Sequence, residues 1–233
     1  MEDWRKKLLE LFFPTPCICP ICKTKQPRLQ ICPDCAALLA RKRRDHGQCG
    51  RCGTYGVRAA VCDNCRDWPD YLVGNHSALP YEGNFRQAIL DLKYRGRPWM
   101  AQALAELLLP LVPAEAELLI PVPLHPNRLR ERGFNQSALI ARVLSEQTGL
   151  PLAEQTLLRT ADTPHQTGLS RSKRQQNLRH AFTIADSIPI DGRHVLIIDD
   201  VLTTGSTIAQ CAKVLHHSGA RRVSALTLAS GMK

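Results

Sequence analysis

The chain has 233 residues, 44% of them apolar, with 31 basic against 21 acidic side chains and ten cysteines. That length suits one large domain, or one ordinary domain and a small one, and a charged fraction of 22% excludes a wholly disordered chain. No apolar run reaches the roughly 18–20 residues that span a bilayer, and a formal charge of +10 points first to a polyanionic partner.

Residues 1–16 are predicted to form a short amphipathic helix, with Trp4, Leu8, Leu11 and Phe12 on one face, docked on the body of the chain, with a membrane surface as the alternative partner. This stretch has no apolar core followed by a small-residue cleavage site, so a cytoplasmic protein is expected.

Residues 17–69 carry a doubled cysteine pattern. Cys19-x2-Cys22 is followed after nine residues by Cys32-x2-Cys35, and Cys49-x2-Cys52 is followed after nine by Cys62-x2-Cys65. Each cysteine of the second set lies 30 residues after its counterpart, which marks an internal repeat. Two such hooks can turn four sulfurs onto one ion at about 2.3 Å, so each repeat reads as a zinc ribbon. A disulfide framework conflicts with the cytoplasmic reading; a redox pair or an iron–sulfur cluster is the remaining alternative. Four thiolates close the coordination sphere, so the two zinc ions would be structural. Cys17 is a spare thiol that can substitute as a ligand, and Cys211 sits in an apolar helical pattern as a small core residue.

From residue 70 to 233 strand and helix signals alternate, which indicates an α/β fold with a mostly parallel sheet flanked by helices. Residues 71–81 supply a strand or hairpin arm, and 84–94 and 99–109 read as helices around Gly96-Arg97-Pro98. A short strand at 118–122 stops at Pro123, and Asn135 caps a helix running to Thr148, closed by Gly149 and Pro151. A weak strand follows at 156–159, then a polar loop running into a short helix over 170–180. The last elements are a buried strand at 194–198, a helix over 207–217 and a strand over 222–228.

The stretch Val195-Leu196-Ile197-Ile198-Asp199-Asp200-Val201-Leu202-Thr203-Thr204-Gly205-Ser206-Thr207 carries the chemistry. A buried strand delivers two acids at its C-terminal edge, where open α/β sheets bind ligands. A loop of small hydroxyl residues then opens a helix, whose unpaired N–H groups make a phosphate cradle. Gly205 permits close backbone approach, and the acids can accept hydrogen bonds from vicinal hydroxyls one ribose away. A Walker loop is excluded, because no lysine follows the glycine, and a dinucleotide fold lacks its G-x-G-x-x-G.

At these residues the chain resembles the type I phosphoribosyltransferases. With the tandem ribbons, Pro121-Val122-Pro123-Leu124-His125 and Arg132-Gly133-Phe134-Asn135-Gln136, it resembles the ComF family (ComFC/GntX-like) over essentially its whole length. The resemblance implies a small N-terminal double zinc-ribbon domain at 17–69 and a phosphoribosyltransferase-like domain at 70–233. It also implies that 5-phosphoribosyl 1-pyrophosphate (PRPP) binds with Mg²⁺. Asp199 and Asp200 would hold the ribose hydroxyls, and Thr203, Thr204, Gly205, Ser206 and Thr207 the 5-phosphate. Arg128, Arg130 and Arg132 would neutralise pyrophosphate, and Arg171 and Arg174 would act from a flexible loop at 163–177 that also holds Lys173. Lys93 and His165 are weaker candidates, with a merely exposed side chain as the alternative for each.

The function this implies is transfer of a ribose 5-phosphate group to an unidentified acceptor, linked to DNA uptake or nucleotide use. The alternatives are a non-catalytic PRPP- or nucleotide-binding regulator, or a nucleic-acid-handling partner of a DNA-processing protein such as a competence helicase. Each zinc held by four thiolates is a site of charge −2, which lowers the formal total to about +6. Residues 121–180 hold nine Arg or Lys against four acids. Much of the basic excess can therefore serve a small polyphosphate rather than DNA.

Overall fold

The computed structural model describes residues 16–57, 60–66, 68–160, 181–185 and 190–231. Residues 1–15 of the N-terminal helix expected at 1–16, and the flexible loop expected at 163–177 with His165, Arg171, Lys173 and Arg174, lie outside the described residues. So does the loop and short helix expected at 170–180.

The internal repeat of the sequence is a repeat of structure. In each half a knuckle turns back on itself: Cys19 N donates to Thr24 O and Cys49 N to Thr54 O, both at 2.9 Å. Isolated antiparallel bridges join Ile18 to Lys25 and Gln48 to Tyr55, again 30 residues apart. Helix α1 (Pro33–His46) starts after the first knuckle and the single turn α2 (Asp63–Arg66) at the equivalent place after the second. The turn residue of both knuckles has positive φ, 65° at Lys23 and 67° at Gly53. The second must be glycine, since a Cβ there would lie 2.8 Å from Ser77 N. At the first, a side chain has room and a purpose, because Lys23 Nζ reaches the buried Asp91 carboxylate at 2.8 Å.

The remaining elements run β1 (Leu72–Pro80), α3 (Gly83–Tyr94), α4 (Met100–Ala105), β2 (Leu118–Pro121), α5 (Pro126–Arg132), α6 (Gln136–Thr148), β3 (Leu157–Arg159), β4 (Phe182–Ile184), β5 (His194–Leu202), α7 (Ser206–His217) and β6 (Arg222–Ser230). A four-stranded parallel sheet has the order β1-β6-β5-β2, and β3 and β4 form a separate antiparallel pair. Helix α6 follows the expected caps: Asn135 Oδ1 accepts from Ser137 N at 3.0 Å, and Gly149 ends it in the left-handed conformation.

Three elements depart from the sequence reading. Residues 126–132, given no element in the sequence reading, are a helix, because Pro126 suits the first turn, His125 Nδ1 caps Asn127 N at 3.3 Å and Gly133 closes it. The helix expected to reach residue 109 ends at Ala105 and gives way to a 3₁₀ turn at Leu109–Leu111, where Pro110 interrupts. Strand β4 lacked a recognisable run; three residues gain strand geometry only by pairing with β3.

Alternating residues of β5 feed two cores, as expected for a strand buried on both faces. Leu196 and Ile198 pack with α3, α4, α6 and the first cysteine cluster, whereas Val195 and Ile197 pack with α7 and the second. The cysteine clusters thus share the sheet's cores. The second knuckle also covers the outer edge of β1: Asn75 N donates to Arg51 O at 2.8 Å, and Asn75 Nδ2 donates to Cys52 O at 2.9 Å. No helix among the described residues is long and apolar enough to cross a membrane.

Candidate functional site

The chain leaving β2 runs outward, where Leu119 pairs with Leu152, while the chain leaving β5 crosses to β6. The connections diverge, so a crevice opens outside the carboxyl ends of these strands, where open α/β sheets take ligands. Asp199 and Asp200 arrive there on β5.

The strand pleat turns the two acids to opposite faces. Asp200 is 5% exposed; its Oδ1 meets Lys93 Nζ at 2.7 Å, and its Oδ2 accepts from Gln136 Nε2. Asp199 Oδ1 accepts from Ser137 Oγ at 3.2 Å and from Asp200 N at 2.8 Å. Lys93, left by the sequence reading between a weaker candidate and an exposed side chain, is therefore the cation of a largely buried pair. Burial opposes its charge, yet Asp200 beside it raises its pKa above the ordinary lysine value. Burial, then the neighbouring charge of Asp200, pushes the Asp199 carboxyl up to about 7.

That shift has a consequence for stability. An acid with a folded pKa near 7 and an ordinary unfolded value takes up a proton on folding. Its contribution is complete below the unfolded value and is lost as pH rises toward 7. Asn at this position keeps an oxygen for Ser137 and Asp200 N without the charge. Asp199→Asn is expected to be more stable than the natural chain at pH 8 by about 2 kcal/mol, or about 4–8 °C. The gain should shrink steadily as pH falls from 7 to 4 in thermal melts, and a gain that grows toward acid would overturn the assignment.

Beyond the acids, Thr203, Thr204, Gly205, Ser206 and Thr207 form the turn into α7. Gly205 stands at the N-cap with φ 77° and supplies no side-chain cap; Ser206 N is met by Thr204 Oγ1 at a long 3.5 Å, and a helix start of this kind presents its remaining first-turn N–H groups to a ligand. Thr204 Oγ1 and Ser206 Oγ lie 2.9 Å apart and can accept or donate in concert.

The expected arginines separate. Arg128 and Arg132 line a cavity of about 350 Å³ together with Lys93, Tyr94, Glu131 and Phe134. Arg132 also donates to Gln136 Oε1, and its guanidinium lies 4.9 Å from the exposed Tyr94 ring. Arg130 points elsewhere, bonding Asn127 Oδ1 at 2.5 Å.

Sequence reasoning passed over Lys93, Gln136 and Ser137 as partners of the acids. One signal for Lys93 was present: it falls four residues after the buried Ile89, on the apolar stripe of α3.

Each set of four cysteines draws its sulfurs within 4.8 Å of one another, against about 3.8 Å expected for tetrahedral Zn–S bonds. The donor set fits zinc in detail. Cys62 N donates to Cys49 Sγ at 3.3 Å and Cys32 N to Cys19 Sγ at 3.5 Å, the second-shell bonds that orient thiolates. Cys17 is exposed and outside both groups, and Cys211 is buried in the α7 core as expected.

Comparison with known proteins agrees with this architecture. The family model of the phosphoribosyl transferase domain matches residues 134–233, which span β5, α7 and the crevice loop. "DNA utilization protein YhgH" of Salmonella typhimurium (strain LT2) is 33% identical over 202 residues, covering 83% of this chain and 87% of that one. "Competence protein F" of Haemophilus influenzae (strain Rd) is 33% identical over 196 residues, covering 78% and 83%. "Competence protein ComFC" of Bacillus subtilis (strain 168) is 27% identical over 214 residues, covering 87% and 85%. A third of the residues shared along most of both chains makes this chain a member of the ComF family.

Proposed function

We propose that the chain binds PRPP in the β5–α7 crevice and transfers its phosphoribosyl group to an acceptor with release of pyrophosphate, in the cytoplasm. The observation that carries this reading is the adjacency of two acids late in a strand to a helix N-terminus that begins on a glycine. One binds vicinal hydroxyls and the other a phosphomonoester, at the two ends of one ribose 5-phosphate.

In the reaction the bond from the anomeric carbon to pyrophosphate oxygen breaks, and its electron pair leaves with the pyrophosphate. The acceptor nucleophile forms the new bond to that carbon. Mg²⁺ carried on the PRPP oxygens would neutralise part of the leaving-group charge. Lys93, Arg128 and Arg132 give the adjoining cavity the positive potential that charge requires. Asp199 and Asp200 orient the sugar and need not take a proton. Arg171 and Arg174 complete the proposal from residues outside those described. The names of the relatives, in DNA utilization and competence, suggest that the product or the ligand-bound protein serves DNA uptake or use.

Calorimetric titration with PRPP, with and without Mg²⁺, tests the reading. Asp199→Asn combined with Asp200→Asn is expected to abolish binding. A wild-type chain that binds no PRPP at millimolar concentration would refute it. If PRPP binds, pyrophosphate release across a panel of nucleobases distinguishes transfer from regulation.

A further inference from the structure

The connection between the second cysteine cluster and β1 brings a tryptophan to the crevice. Trp68 follows Cys65 by three residues and is 8% exposed. Its backbone is held from several sides. Trp68 N donates to Cys65 O at 3.2 Å, and Arg51, between two of the cluster's cysteines, donates through Nη2 to Trp68 O at 2.9 Å, Pro69 O at 3.2 Å and Leu72 O at 3.3 Å. The indole is thereby fixed against the loop at the start of α7. A Cβ added to Gly205 would lie 2.6 Å from Trp68 Cζ2, 3.3 Å from Cε2 and 3.5 Å from Nε1. Glycine at 205 is required by this contact as well as by its φ of 77°.

The edge of the ring that meets Gly205 is the edge that carries the N–H. Among the described residues no acceptor takes a hydrogen bond from Trp68 Nε1. That nitrogen is not among the fully enclosed polar atoms that lack a partner, so it stays accessible to an acceptor from outside the protein. Here a donor with no acceptor among the described residues, on a nine-tenths buried side chain, lies beside a helix N-terminus whose N-cap glycine supplies no side chain. Both features ask for the same thing, an anionic acceptor at the Gly205 turn. An indole N–H donates only, and it brings no charge whose own desolvation must be offset.

We propose that Trp68 is part of the phosphate cradle: its indole N–H donates to the phosphomonoester held by residues 203–207. The second cysteine cluster then has a role at the site, since it holds the segment that carries this donor. This rests on the reading of the loop as the 5-phosphate site, and it adds a ligand from outside the loop and its helix.

The test uses the full, zinc-loaded chain and two probes titrated separately, ribose 5-phosphate and inorganic pyrophosphate. Trp68→Phe keeps a ring against Gly205 and removes the N–H. It is expected to weaken ribose 5-phosphate about tenfold and to leave pyrophosphate unchanged. Unchanged ribose 5-phosphate affinity overturns the proposal, and so does equal weakening of both probes, which would mark a merely structural effect. Should the variant fail to fold, the wild-type indole N–H resonances decide. The Trp68 signal, assigned with Trp4→Phe and Trp99→Phe, should move downfield on saturation with ribose 5-phosphate, and a stationary signal overturns the proposal. Wild type that binds no ribose 5-phosphate brings down the parent reading with it, whereas binding that Trp68→Phe retains in full brings down this inference alone.

Discussion

Cys65→Ser is expected to abolish the cooperative unfolding transition of the whole chain, not only of its first 70 residues. The four cysteines of the second cluster are between 0% and 5% exposed, and they lie in one core with Ile197, Leu202 and Ile208. Metal binding to such a site contributes about 10–16 kcal/mol, as much as the entire stability of an ordinary domain. Two further supports depend on the same knuckle. Arg51 joins the cluster to five carbonyls between Cys65 and Leu72, and Asn75 of β1 bonds both Arg51 O and Cys52 O. Loss of the metal therefore uncovers the edge of β1 as well as four thiols.

The measurement is zinc content together with a circular-dichroism melt. The natural chain should hold two zinc ions and melt cooperatively. Cys65→Ser should retain at most one and show no sharp transition. Cys17→Ser, at an exposed cysteine that belongs to neither group of four, should match the natural chain in both. A Cys65→Ser protein with two zinc ions and an unchanged melt would refute the structural role. Substitution in the first cluster should be milder at Cys22, whose side chain is only partly buried.

What the sequence disclosed and what it concealed divide along physical lines. The cysteine spacing, the apolar run into Asp199 and Asp200, and the Asn135 and Gly149 caps are local patterns, and the structure follows them. Strand β4 was hidden because three residues take strand form only when β3 lies opposite. Helix α5 was hidden because its seven residues carry three arginines, and no apolar stripe signals a buried face. The partners of the acids were hidden for another reason. Lys93, Gln136 and Ser137 lie 62 or more residues from Asp199 and Asp200 in sequence, and only packing of α3 and α6 against β5 brings them near. Trp68 met Gly205 in the same way, across the docking of the second knuckle.

The distant partner with the largest energetic consequence is Lys93. Lys93→Met keeps the volume of the side chain and removes its charge, leaving Asp200 buried with Gln136 as its remaining named partner. Breaking a buried ion pair by removing one member costs about 3–5 kcal/mol, because the other charge stays uncompensated. For a chain of this length the melting temperature should fall on the order of 10 °C. The pair itself is not the source of that loss, and a second substitution separates the two. Asp200→Asn in the Lys93→Met background removes the stranded charge and keeps an acceptor for Gln136. The double variant is therefore expected to be more stable than Lys93→Met alone and to recover most of the lost temperature. Equal melting temperatures for Lys93→Met and the double variant would show that solvent, and not Lys93, compensates Asp200. The recovered protein should still bind PRPP poorly, since Lys93 and Asp200 both belong to the crevice that would take it. Stability and ligand binding would then part company at one ion pair, which is the behaviour expected when a buried charge is kept for its ligand rather than for the fold.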